Sequence, residues 1–220
     1  MANFHCLAFL ATMLCISLIF SCSLSNNEKS VAGYKTENIG DQHWMAENLN
    51  ENVSGSKCYD DNEANCGKYG RLYNWAAAMA LPDSCNYNNC SSEVLAKHRG
   101  ICPDGWHIPS DAEWKMLVSF VGGPPVAGRN LKATRGWHSC GKGDSNQYQC
   151  EDKYGFSALP GGIGYSIGFH FIGDYGYWWS SKEYRGKDAY YRDLRYISDA
   201  ADWYNYGTKS NFLSVRCLQD

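Results

Sequence analysis

Apolar positions in the middle of the chain recur with a helical period. Trp114, Leu117, Val118 and Val121 fall at i, i+3, i+4 and i+7, one stripe that has to be buried. Just upstream, Ser110 and Glu113 have the S-x-x-E spacing of a capping box, which predicts a helix beginning near Asp111. Gly122-Gly123-Pro124-Pro125 then stops it. Earlier, Leu72, Trp75, Ala76 and Met79 in GRLYNWAAAMAL share helical spacing and predict a first helix that ends before Pro82. YKTENIGDQHWMAENLN, from Tyr34, predicts two short strands around a Gly40-Asp41 turn.

From about Tyr154 the helical period is gone. YGFSALPGGIGYSIGFHFIGDYGYWWSS, AYYRDLRYI and NFLSVRCLQ read as strands with Gly-rich connections. Alternation in FLSVRCL puts Leu213, Val215 and Cys217 on one face. Helices gathered early and strands gathered late predict an α+β fold, with two early helices, a twisted antiparallel sheet and Gly-rich loops.

The first twenty-one residues contain no Asp, Glu, Lys or Arg, and LAFLATMLCISLIF is too short to span a bilayer, which takes about 20 apolar residues. Residues 1–21 are therefore expected to be a signal peptide. IFSC, followed by polar SLSNNEKS, resembles a loose bacterial lipobox in which Cys22 is acylated, although Phe20 departs from the small residue usual there. Residues 22–33 are then a lipid-anchor cysteine and short tether, and residues 34–220 one domain. Ordinary cleavage and secretion is the alternative. These readings place the protein at the bacterial outer membrane or cell surface, touching membrane only through the anchor.

Eight cysteines remain beyond Cys22, an even number suited to an oxidising compartment. Cys58 with Cys66, Cys85 with Cys90 and Cys140 with Cys150 each lie in a polar Asn/Asp/Gly stretch that can loop back. Cys102 and Cys217 are left to each other, a staple from the start of the core helix to the last strand. No cysteine pair has C-x2-C spacing and the six histidines are scattered, so neither zinc nor a cofactor is expected.

The blocks IGDQHWMAENLN, CYDDNEANCGKYGRLYNWAAAM, GICPDGWHIPSDAEW, LKATRGW, DKYGFSALPGG, GYWWSS and SVRCLQD occur in this order. Together they resemble the Fibrobacter succinogenes major paralogous domain over Tyr34 to Asp220. The resemblance implies an exported, often lipid-anchored bacterial protein and brings no established biochemical activity. GWHIPSDAEW and VRC are more distantly similar to the C-type-lectin-like fold of formylglycine-generating enzymes. That fold often ties an early helix to the last strand by a disulfide. The calcium motifs of true C-type lectins are absent, as is a late pair of active-site cysteines, so neither chemistry is carried over.

A net charge of -3 without any Lys/Arg block argues against nucleic acid as a partner. Gly164 to Gly168 matches G-x-S-x-G, but strand-like sequence follows Ser166 where a nucleophile elbow needs a helix. Asp60, Asp61, Asn62 and Glu63 lack the spacing of a calcium loop and read as a solvated disulfide loop. Aromatic residues are abundant, with 16 Tyr and 8 Trp, and they concentrate late. Tyr177, Trp178, Trp179, Tyr190, Trp203 and Tyr204 are the candidate ligand-binding residues. Neighbouring rings on a strand point to opposite faces, so only one of Trp178 and Trp179 is expected in the core, with Trp178 outward. The expectation is a non-catalytic surface domain that binds polysaccharide or a cell-surface protein. An enzyme of another type on the same scaffold, or a purely structural envelope protein, are the alternatives.

Overall fold

The computed structural model describes residues 30–31, 33–138, 140, 148–201 and 205–220. The expected leader and Cys22 lie outside them, as do Trp203 and Tyr204. The strands are β1 (Ser30–Val31), β2 (Tyr34–Ile39), β3 (Gln42–Met45), β4 (Ser56–Lys57), β5 (Leu72–Tyr73), β6 (Trp106–His107), β7 (Ile163–Tyr165), β8 (Gly168–His170), β9 (Tyr175–Arg185), β10 (Asp188–Arg195), β11 (Asn205–Thr208) and β12 (Leu218–Gln219). Among the described residues four α-helices join them: α1 (Glu63–Tyr69), α2 (Trp75–Ala78), α3 (Asp111–Phe120) and α4 (Pro124–Leu131). The sheets are small and antiparallel, in the orders β1-β2-β3-β12-β6, β11-β10-β9, β4-β5 and β7-β8.

Helix α3 forms as its sequence predicts. Ser110 and Glu113 make both halves of the capping box, and Trp114, Leu117, Val118 and Val121 are all buried. The β2–β3 hairpin turns at Gly40-Asp41, where Gly40 has φ 62° and a Cβ would come within 2.8 Å of the Phe120 ring. Leu213, Val215 and Cys217 share one core, and Cys102 is bonded to Cys217 beside them. That bond closes a separation of 115 residues, worth about 4 to 5 kcal/mol on the chain-entropy account. Cys58–Cys66, Cys85–Cys90 and Cys140–Cys150 are bonded as well.

The structure departs from the sequence reading at three helices. Leu72 pairs with Lys57 in β5, so the predicted first helix shrinks to the single turn of α2, capped by the Asn74 side chain on the Ala77 amide at 2.8 Å. The stretch read as a solvated loop contains α1, which Asn62 caps through the Ala64 amide and the Cys58–Cys66 bond ties back. Gly122-Gly123-Pro124-Pro125 ends α3 and also starts α4, because proline is tolerated in a first turn whose amides have no intrahelical partner.

Two hydrophobic cores flank β9. Met45, Tyr73, Trp75, Trp179, Leu213 and Val215 belong to the first, and Trp44, Trp114, Leu117, Phe156, Trp178 and Leu218 to the second. Trp178 is 1% exposed and Trp179 0%. The expectation that Trp178 faces outward is corrected. The two rings do point to opposite faces, but α3 and Phe156 cover one face while β5, α2 and the 213–217 segment cover the other. Both indole N–H groups are satisfied: Trp178 donates to Asn48 Oδ1 and Trp179 to the Tyr73 carbonyl, each at 2.8 Å.

Buried cations knit the cores together. Arg216 is fully buried and donates to the carbonyls of Phe156 and Ser157 and to Asn48 Oδ1, with its guanidinium over the Phe156 ring at 4.2 Å. Burial pulls its pKa down to about 9. Arg192 on β10 donates to the Asp111 carboxylate, and Lys115 reaches the other oxygen of that group at 2.8 Å. Burial alone would raise the Asp111 pKa, but the two cations hold it below its ordinary value. These contacts clamp α3 onto the β9–β10 ribbon.

Candidate functional site

Strands β9 and β10 run as a long antiparallel ribbon, with Arg195 opposite Tyr175 at one end and Asp188 opposite Arg185 at the other. On the Trp179 face, Tyr177 lies beside Asp193 and Tyr191 beside Trp179. Tyr175 stacks parallel to Tyr177 with centroids 5.6 Å apart, and Tyr191 meets Tyr177 edge-on at 5.7 Å. These rings pack against the first core, and Tyr177, 9% exposed, has its pKa pushed well above the ordinary phenol value by burial. They read as core and its margin.

Beyond Ser181 the ribbon leaves that packing. A register shift between Ala189 and Tyr191 accommodates extra β9 residues, and such a bulge bends and twists a strand. Where the ribbon emerges, Glu183 is pinned by Lys209. The Lys209 ammonium donates to Glu183 Oε2 at 2.7 Å and to the Cys85 and Asn88 carbonyls at 3.0 Å, and sits over the Trp75 ring at 4.4 Å. Glu183 Oε2 also accepts the Cys90 amide at 2.9 Å. Both side chains of the pair are almost fully buried, 0% and 3% exposed. The ribbon end is thus fixed to the Cys85–Cys90 loop.

Past this anchor three tyrosines from three strands meet. Tyr190 of β10 pairs directly with Tyr206 of β11. Tyr184 of β9 stacks on Tyr206 with centroids 3.9 Å apart and planes 23° from parallel, and meets Tyr190 edge-on at 5.2 Å. The Lys182 ammonium lies 5.7 Å from the Tyr190 centroid, and the Arg185 guanidinium 4.7 Å from that of Tyr184. Tyr206 is 46% exposed, Tyr184 and Tyr190 are half-buried, and all three stand outside both cores.

Of the sequence-predicted ligand residues, the structure places Tyr190 on this platform. It puts Tyr177, Trp178 and Trp179 in the cores, so those three are not open to a ligand; Trp203 and Tyr204 fall outside the described residues. Tyr206 belongs to the late aromatic cluster without being one of the six candidates, and Tyr184 belongs to neither. A usable signal exists in KEYR and NYGT, where no large apolar side chain adjoins the tyrosine, the pattern of a ring with no core to enter.

Elsewhere the chemistry is less suggestive. Ser166 of the G-x-S-x-G match sits in the β7–β8 turn, between Tyr165 and Gly168, and a strand follows it. Cys58, Glu63 and Cys66 come together, but the two sulfurs are spent in a disulfide. A cavity of about 270 Å³ is lined by Lys35, Glu37, Glu47 and Arg135 among others, a mixed set of charges. No described helix is long and apolar enough to cross a membrane.

The family model for the Fibrobacter succinogenes major domain matches residues 38–219. The chain belongs to this family. No curated protein and no solved structure matches it. Family membership confirms the resemblance of the sequence blocks and accounts for the chain from within β2 to the end of β12.

Proposed function

We propose that the protein is an exported, non-catalytic cell-surface domain that binds polysaccharide through the Tyr184–Tyr190–Tyr206 platform. The observation that carries this reading is that three aromatic side chains from three strands are gathered outside both cores and packed together through Tyr184. A solvent-facing ring offers an apolar face to the C–H surface of a sugar, and its hydroxyl and polar neighbours fix orientation. Rings locked by stacking lose little freedom on binding.

On this reading residues 1–21 direct export, acylated Cys22 holds the protein at the outer membrane, and the following residues tether the domain. The Cys102–Cys217 staple between the α3 region and the final strand supports a C-type-lectin-like arrangement. Two measurements test the proposal. A polysaccharide array probed with the protein and with its Tyr190→Ala/Tyr206→Ala variant should show retention that the variant loses while its melting temperature holds; retention equal in both contradicts the platform. Cys22→Ser should release the protein from membranes in its native host, and undiminished membrane retention contradicts the anchor.

A further inference from the structure

We infer that the polymer taken by the tyrosine platform is polyanionic, a polysaccharide bearing uronate or sulfate groups. The inference rests on the platform reading above and adds the sign of the ligand. Lys182, Arg185 and Lys187 lie within six residues at the ribbon end, and all three are exposed. Among the described residues no carboxylate lies within ion-pairing distance of any of them, and the one side-chain hydrogen bond of Arg185 is to the Tyr184 hydroxyl at 3.3 Å. A guanidinium carries five N–H donors in a planar fork, so Arg185 keeps most of its fork for a carboxylate or sulfate.

The acids of the same stretch do not cancel this charge. Glu183 is buried and neutralised by Lys209, which leaves Asp188 as the one accessible acid between Lys182 and Lys187's successor strand position. The ribbon end is therefore locally cationic on a chain whose formal net charge is -3. Two of the cations also lie close to platform rings, Lys182 by Tyr190 and Arg185 by Tyr184, so a sugar ring stacked there would bring its acidic substituent to them. An anionic bilayer fits less well, because the turn Arg185-Gly186-Lys187 offers no apolar side chain to enter lipid.

The test is affinity of the full chain, purified in detergent, for polygalacturonate and for its fully methyl-esterified form. Polygalacturonate should bind about tenfold more tightly, and raising salt from about 50 to about 300 mM should remove most of that advantage, since exposed charge pairs are screened. Lys182→Gln/Arg185→Gln/Lys187→Gln should bring polygalacturonate down to the affinity of the ester and leave ester binding and the melting temperature unchanged. Equal, salt-independent affinity for both polymers overturns the charge inference while the platform stands. Binding to neither polymer overturns the inference, as does binding only to phosphatidylglycerol vesicles. Polygalacturonate affinity and charge preference both retained in Tyr184→Ala/Tyr206→Ala would overturn the platform instead, and with it the inference built on it.

Discussion

Two halves of one ribbon have opposite fates. Between Tyr175 and Ser181, β9 passes between two cores, and its adjacent tryptophans are buried on opposite faces. From Lys182 to the β10 start, and across to β11, the same ribbon carries three tyrosines that enter neither core. Aromatic content does not separate the halves, since both are rich in tyrosine, although β9 carries no charged residue from Tyr175 to Ser181 and the stretch from Lys182 to Asp188 carries five. What separates them is whether another layer covers each face, with α3 and Phe156 on one side and β5 and α2 on the other. The Lys209–Glu183 pair marks the boundary where that cover ends.

The comparison can be broken most forcefully in the covered half. Trp178→Ala and Trp179→Ala should each cost about 4 kcal/mol by chemical denaturation, as large-to-small changes in close-packed surroundings. A near-neutral result for either ring would mean that one face is open after all. At the boundary, Lys209→Met strands the Glu183 carboxylate without its countercharge and should cost about 3 kcal/mol. Glu183→Gln/Lys209→Met should recover part of that loss, and a larger loss in the double variant would show that the pair is not the anchor.

A smaller, pH-dependent effect sharpens the account of what clamps the covered half. Buried His107 bridges Glu113, inside the capping box of α3, and Asp220, at 3.0 and 2.7 Å. Burial pushes its pKa down, but hydrogen bonds to the two carboxylates outweigh this and hold it above the ordinary value of 6.5. Burial likewise acts to raise the Glu113 pKa, and the bonds from His107 and Ser110 bring it to about 2 from 4.5. The histidine contribution is complete below 6.5 and fades as pH rises through the raised value; the glutamate contribution is complete above 4.5 and fades as pH falls toward 2. The melting temperature should therefore peak between these limits, and His107→Gln should flatten the alkaline slope. An alkaline slope that survives the substitution assigns it to another group. The smallest stability effects belong to the exposed half, where Tyr184→Ala, Tyr190→Ala and Tyr206→Ala should each cost under about 1 kcal/mol.

Local chemistry was legible in the sequence and layering was not. Ser110 and Glu113 announced α3 because a capping box is complete within four residues, and the Gly40-Asp41 turn and the four disulfides follow from similarly short patterns or from elimination. Helix α1 escaped because it buries only Cys66 and Tyr69 and leans on a side-chain cap and a disulfide, so it has no apolar stripe to show. Helix α4 escaped because two prolines were read only as a stop, and because Gly128 serves packing: a Cβ there would lie 2.4 Å from the Ala200 carbonyl oxygen. Leu72 fell into helical spacing by coincidence. For the site, strand alternation gave the correct facing of Trp178 relative to Trp179, but the second layer over Trp178 comes from α3, over sixty residues earlier, and no local pattern reveals it. The platform joins Tyr184, Tyr190 and Tyr206 through strand register, which a single chain does not display.

The central claim is that the uncovered rings, and not the covered ones, meet the ligand. Hydroxyl-radical footprinting of aromatic side chains, with and without a bound polysaccharide, reads this directly. Oxidation of Tyr184, Tyr190 and Tyr206 should fall when ligand is present, while Trp178 and Trp179 stay unreactive in both states. Unchanged oxidation of the three tyrosines under saturating polysaccharide, with protection appearing elsewhere, would contradict it.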